Sequence, residues 1–129
     1  MALRNATAQT NYMAGTQVTV SGDAIFGSVA NDMQWTAESG TSGMFFKNNG
    51  KYLARVSGSS DSLESTSTKP GDRYGDWRYD SSNNWFYVEG SSQSQTQKYY
   101  LYYSSQNYFR VNSSAGSGEN IYLYKKIVT

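Results

Sequence analysis

The 129-residue chain contains neither histidine nor cysteine. It therefore has no thiol nucleophile, no imidazole base, no zinc or haem ligand of the usual kinds and no disulfide framework. Most enzyme mechanisms lose a required group at this step. A serine nucleophile would need a lysine base, and neither a Gly-x-Ser-x-Gly elbow nor any spacing suggestive of one occurs. A phosphate-cradling loop is missing too, because Gly40-Thr41-Ser42-Gly43 leads into a strand-like run and not a helix. Charge of one sign is lacking: 11 Lys+Arg against 10 Asp+Glu leave a formal +1. Such a chain has no net field to gather nucleic acid. Long apolar runs are absent, the best of them, Tyr99 to Tyr103, falling far short of the roughly 20 residues that cross a bilayer. No membrane insertion is expected. The opening Met1-Ala2-Leu3-Arg4-Asn5-Ala6-Thr7 turns polar too early for a secretory leader, whose apolar stretch runs roughly 7–15 residues, so none is expected.

What is present is aromatic and polar without charge. Hydrophobic residues make up 37% and charged residues only 16%, while 12 tyrosines, 20 serines, ten threonines and ten asparagines carry the solubility. The length predicts a single domain over residues 1–129 that buries about two-thirds of its unfolded surface. No stretch of a dozen residues repeats apolar positions at helical spacing. Nine short β-branched or aromatic runs read as strands: 17–20, 33–36, 44–47, 52–56, 76–79, 85–88, 99–103, 108–111 and 121–124. Turn-forming groups such as Asn48-Asn49-Gly50, Ser57 to Ser60, Ser81 to Asn84 and Ser104 to Asn107 separate them, giving an all-β chain of antiparallel hairpins.

The strands recur. Leu3, Phe46 and Val88 follow each other at intervals of 43 and 42; Tyr12-Met13, Tyr52-Leu53 and Tyr100-Leu101 at 40 and 48; Trp35, Trp77 and Tyr122 at 42 and 45. Val20, Leu63 and Phe109 mark a third strand of each unit. Four strands cannot bury an aromatic face alone, so three units, about 2–43, 44–84 and 85–127, are expected to share one interior where Trp35, Trp77, Tyr122 and the leading apolar residues meet.

Trp35 to Phe46 to Gly50-Lys51-Tyr52-Leu53, repeated as Trp77 to Val88 to Lys98-Tyr99-Tyr100-Leu101, resembles a β-trefoil, in particular the ricin-type lectin-like group. The resemblance covers Leu3 to Tyr124 and implies a sugar-binding module. An Ig-like sandwich and an antiparallel barrel are the competing architectures. The family's sugar site has an aspartate after the Gly-Lys-hydrophobic-Leu step and closes on Gln-x-Trp. Here Ala14-Gly15, Ala54-Arg55 and Tyr102-Tyr103 stand after that step, and Met33-Gln34-Trp35 and Gly75-Asp76-Trp77 at the close. A sugar would have to be held by other residues.

The candidates are aromatic. Tyr102 or Tyr103 on its hairpin offers a stacking platform, with Tyr108 and Asn107 beside it, since a sugar ring needs an aromatic face for its C–H groups and an amide for its hydroxyls. If Phe86 and Val88 point inward, Trp85 and Tyr87 point out, and an outward Trp often marks a partner. The alternative for each ring is plain packing. Asp72, Asp76 and Asp80 read as a solvated loop with local ion pairs, not a metal site, and no carboxylates read as an acid/base couple. The sequence thus predicts a non-catalytic, cofactor-free glycan or glycoprotein reader, acting in adhesion at an extracellular or other surface, with ligand contacts at Trp85, Tyr102, Tyr103, Asn107 and Tyr108. The competing expectation is a protein–protein or structural accessory domain of a cell-surface or virion assembly that self-associates through the aromatic face.

Overall fold

Short aromatic and β-branched runs interrupted by Ser, Gly and Asn have little choice but to pair as strands. The computed structural model describes residues 1–9, 11–22, 24–27, 29–59, 61–92, 95–104, 108–113 and 121–124. Among them are β1 (Ala2–Ala8), β2 (Tyr12–Thr16), β3 (Thr19–Ser21), β4 (Ala24–Phe26), β5 (Thr36–Ser39), β6 (Met44–Asn48), β7 (Lys51–Arg55), β8 (Leu63–Thr66), β9 (Arg78–Asp80), β10 (Trp85–Ser92), β11 (Gln95–Ser104) and β12 (Tyr108–Asn112). Among the described residues helix is confined to one turn, α1 (Asp72–Gly75), and a 3-10 turn at Asn31–Met33. The chain is all-β.

Three antiparallel sheets result. Six strands lie in the order β1-β2-β12-β11-β10-β9, four in the order β5-β6-β7-β8, and β3 pairs only with β4. Neither larger sheet closes on itself among the described residues. The β6–β7 hairpin turns on Asn49-Gly50, both at positive φ (48° and 77°), the two-residue loop whose twist matches that of its strands. β2 and β12 meet in the six-stranded sheet, where Tyr108 pairs with Ala14 and Phe109 with Met13. The sheets are tied by backbone bonds: Leu63 N–H donates to Asn11 O (2.9 Å), Val111 N–H to Asp61 O (3.2 Å), and Met44 and Trp77 form a bridge.

One core lies between them. It contains Met13, Phe46, Leu53, Leu63, Trp77, Phe86, Val88, Tyr99, Leu101, Phe109 and Val111, with Leu3, Trp35, Met44, Tyr103 and Ile121 packed at its margin. The leading residues Leu3, Phe46 and Val88 lie in or against this core, as expected of them, and so do Met13, Leu53 and Leu101. Two repeat positions do not. Tyr122 is 57% exposed, and Ile121, one residue earlier, packs inward and donates its N–H to Asn84 O at 3.0 Å. Residues 121–124 form no strand. Val20 is 48% exposed: among the described residues the β3–β4 hairpin pairs with neither larger sheet.

The expected solvated loop at Asp72 to Asp80 also differs. Asp76 is 2% exposed, and its carboxylate accepts Ser42 N–H and Gly43 N–H, both at 2.9 Å. It fastens the 40–43 turn against α1, a role that three aspartates spaced by four do not announce.

Candidate functional site: an aromatic sheet face

Strand parity builds the site. On β10, Phe86 (2% exposed) and Val88 (0%) fill the core, so Trp85 and Tyr87 take the opposite face. On β11, Tyr99 and Leu101 are buried, which leaves Tyr100 and Tyr102 outward; on β12, Phe109 and Val111 are buried and Arg110 and Asn112 face out. Antiparallel register then places Tyr87 opposite Tyr100, Tyr100 opposite Asn112, and Tyr102 opposite Arg110. Sequence-distant rings become neighbours: Trp85 meets Tyr100 edge-on at 5.5 Å between centroids, and Tyr87 meets Tyr100 at 5.8 Å.

The face continues across β12 onto β2. The Arg110 guanidinium lies 5.1 Å from the Tyr12 ring and 5.5 Å from that of Tyr102, and Arg110 Nη2 pairs with Asp61 Oδ2 at 2.7 Å. Asp61 also accepts the Tyr12 hydroxyl at 3.2 Å and Ser59 Oγ at 3.0 Å. Partial burial, helped by the Asp61 carboxylate, pushes the Tyr12 phenol above its ordinary pKa, against a lowering by Arg110. At the other end, Lys98 Nζ stands 4.9 Å from the Tyr87 ring, and Arg78 pairs with Glu89 at 2.9 Å. Half-buried rings thus alternate with ion pairs, giving apolar faces with polar rims; Arg78 Nε and Arg110 Nε, both buried, have no hydrogen-bond partner among the described residues. Arg78 and Arg110 each hold a carboxylate, which fixes the rims without leaving an acid and a base poised together.

The sequence candidates divide. Trp85 and Tyr102 lie half-buried on this face. Tyr108 has the outward parity but is 3% exposed, because Tyr12 stacks flat on it at 4.3 Å with planes within 4°. Tyr103 turns to the core margin, 5.1 Å from Phe109, and so contributes packing where a platform was expected. Asn107 lies outside the described residues. Tyr12, Tyr100, Arg110 and Asp61 join the face without having been picked out as ligand contacts. Tyr100 could have been found from the alternation Tyr99-Tyr100-Leu101, but Tyr12 and Asp61 stand 98 and 49 residues from Arg110 and become its neighbours only through β2–β12 pairing and the Asp61–Val111 bond.

Among the described residues no group of three Asp or Glu could hold a metal ion, and no helix is long and apolar enough to cross a membrane. Compared with known proteins, the chain matches no family, no curated protein and no solved structure.

Proposed function

We propose that the chain is a non-catalytic, lectin-like carbohydrate-binding module that attaches whatever carries it to glycans at a surface. The observation that carries this reading is the ladder Trp85–Tyr100–Tyr87 continued by Tyr102, Arg110 and Tyr12 on one sheet face. Aromatic faces accept the C–H side of a sugar ring, while the Arg110, Lys98 and Asn112 groups beside them supply hydrogen bonds to hydroxyls.

The architecture we infer for it is a β-trefoil of three pseudo-repeats. Its support is a cyclic set of contacts between the three segments. The first meets the second through Asn11 O and Leu63 N–H, the second meets the third through Asp61 O and Val111 N–H, and the third returns to the first through Phe109 and Met13. Equivalent burial of Met13, Leu53 and Leu101, at 1%, 1% and 3%, adds to it.

A glycan array followed by titration of the tryptophan indole N–H resonances tests the function. A binding sugar is expected to shift Trp85, and Trp85→Ala or Tyr100→Ala to weaken binding roughly tenfold, the size of one lost stacking contact, with the fold intact. If no glycan moves any resonance while sedimentation shows self-association abolished by Trp85→Ala, the face is a protein interface and the lectin reading is wrong.

A further inference from the structure

We infer that the aromatic face takes neutral glycans and rejects acidic ones, and that Asp61 sets this choice by occupying Arg110. The choice of a glycan as ligand rests on the proposed function. Among the described residues the six-stranded sheet carries three arginines, and each holds a carboxylate: Arg4 pairs with Asp32 at 2.7 Å, Arg78 with Glu89 at 2.9 Å and Arg110 with Asp61 at 2.7 Å. Lys98, on β11, stands directly opposite Glu89 in register. Such pairing is not imposed by the fold. Arg55, on β7 of the four-stranded sheet, is buried between the rings of Tyr99 (4.0 Å) and Tyr74 (4.6 Å), and no carboxylate among the described residues comes within ion-pair distance of it.

Of the three pairs, Arg110–Asp61 lies among the rings, with the guanidinium 5.1 Å from Tyr12 and 5.5 Å from Tyr102. Both side chains reach solvent, at 22% and 37% exposure. A planar fork beside aromatic rings is what a uronic or sialic acid would need for its carboxylate. Asp61 fills that role from within the protein, arriving from the connection between β7 and β8 in the other sheet. Its seat is built. Oδ2 accepts the Tyr12 hydroxyl at 3.2 Å as well as the guanidinium, and Oδ1 accepts Ser59 Oγ–H at 3.0 Å. The Asp61 carbonyl takes Val111 N–H at 3.2 Å, and Ser59 Oγ accepts the N–H groups of Asp61 (3.3 Å) and Ser62 (3.1 Å).

A second carboxylate at this place has two courses, and both cost free energy. Beside Asp61 it shares one cation with a like charge. In place of Asp61 it breaks four hydrogen bonds and contacts that hold the loop, and leaves a partly buried carboxylate without its cation. The remaining charges of the face offer no compensation, because Arg78 and Lys98 have Glu89 between them and Asp80 stands opposite Trp85. A neutral sugar meets neither cost. Its hydroxyls both donate and accept, so they can bond to the exposed side of an ion pair that stays intact while the C–H side of the ring rests on an aromatic face.

The test is an array of matched pairs, each a neutral oligosaccharide and the same chain ending in a sialic or glucuronic acid, probed with the full chain and with Asp61→Asn. The unaltered protein is expected to hold the neutral member of each bound pair at least about tenfold tighter. Its affinity should change by less than about twofold between about 0.01 and 0.1 M salt, a range over which the screening length falls from about 30 to 10 Å. In Asp61→Asn, with Arg110 released, the neutral-to-acidic ratio is expected to fall to about threefold or less. Asp61→Ser, which keeps a hydroxyl in the loop, serves if Asp61→Asn does not fold. Acidic members bound as tightly as neutral ones by the unaltered protein, or an affinity that falls steeply with salt, overturn the inference and leave the lectin reading standing. An unchanged ratio in the Asp61 variants removes Asp61 as its cause. Silence of both members of every pair ends the lectin reading and this inference together.

Discussion

Tyr108 is 3% exposed because Tyr12, from the other end of the chain, lies parallel to it at 4.3 Å. Its neighbours in the strand are core residues, Phe109 at 5% exposure and, two further on, Val111 at 0%. Removing a buried aromatic ring forfeits its transfer energy and leaves a cavity. Tyr108→Ala is therefore expected to cost about 3–5 kcal/mol, like other large-to-small core changes, and to lower the melting temperature by roughly 10–20 °C for a domain of this size. Trp85→Ala, half-buried on the sheet face, should leave the melting temperature within a few degrees; thermal unfolding followed by circular dichroism separates the two. Local sequence could not rank these residues, since Tyr102, Tyr103 and Tyr108 share one hairpin and one chemistry. What tells them apart is Tyr12 covering Tyr108 and strand parity turning Tyr103 onto Phe109.

At the level of elements, α1 and the 40–43 turn form one joint. Asp76 accepts the N–H groups of Ser42 and Gly43, and Met44 and Trp77 exchange backbone hydrogen bonds at 2.9 Å immediately beyond. The joint is tight: a Cβ at Gly43 would lie 2.0 Å from Trp77 O, and one at Gly40 would lie 2.1 Å from Asp76 Oδ1. Asp76→Ala would remove the buried carboxylate that accepts both N–H groups, and loss of hydrogen bonds to a charged group costs about 1.5–3 kcal/mol each. Urea unfolding should show a loss of at least about 3 kcal/mol; a loss under 1 kcal/mol, on the order of a surface substitution, would mean the carboxylate holds nothing. The hairpin at Asn49-Gly50 was legible because its residues alone dictate a turn with two positive φ values. The Asp76 joint was not, because its partners are 33 and 34 residues away.

Over the whole molecule, both larger sheets draw on one core, and Trp77 sits at 0% exposure where they meet, its indole N–H donating to Leu53 O at 3.0 Å. Trp35 makes the corresponding kind of bond, to Leu3 O at 3.0 Å, but from the core's margin. The two tryptophans that look equivalent in the repeat are thus expected to differ. Trp77→Ala should cost about 3–5 kcal/mol, and Trp35→Ala closer to 2 kcal/mol, as suits partial burial. Denaturant unfolding of the two variants checks the ranking, and equal losses would show that Trp35 is as deeply committed as Trp77. The sequence by itself determined the all-β class and the Asn49-Gly50 hairpin turn, because backbone preference acts over a few residues. Tertiary structure alone decided that Val20 and Tyr122 stay outside, that Tyr12 closes over Tyr108, and that Arg55 is buried between Tyr74 and Tyr99. Each depends on which distant strand, if any, arrives to cover a residue, and a run of the chain carries no record of its eventual neighbours.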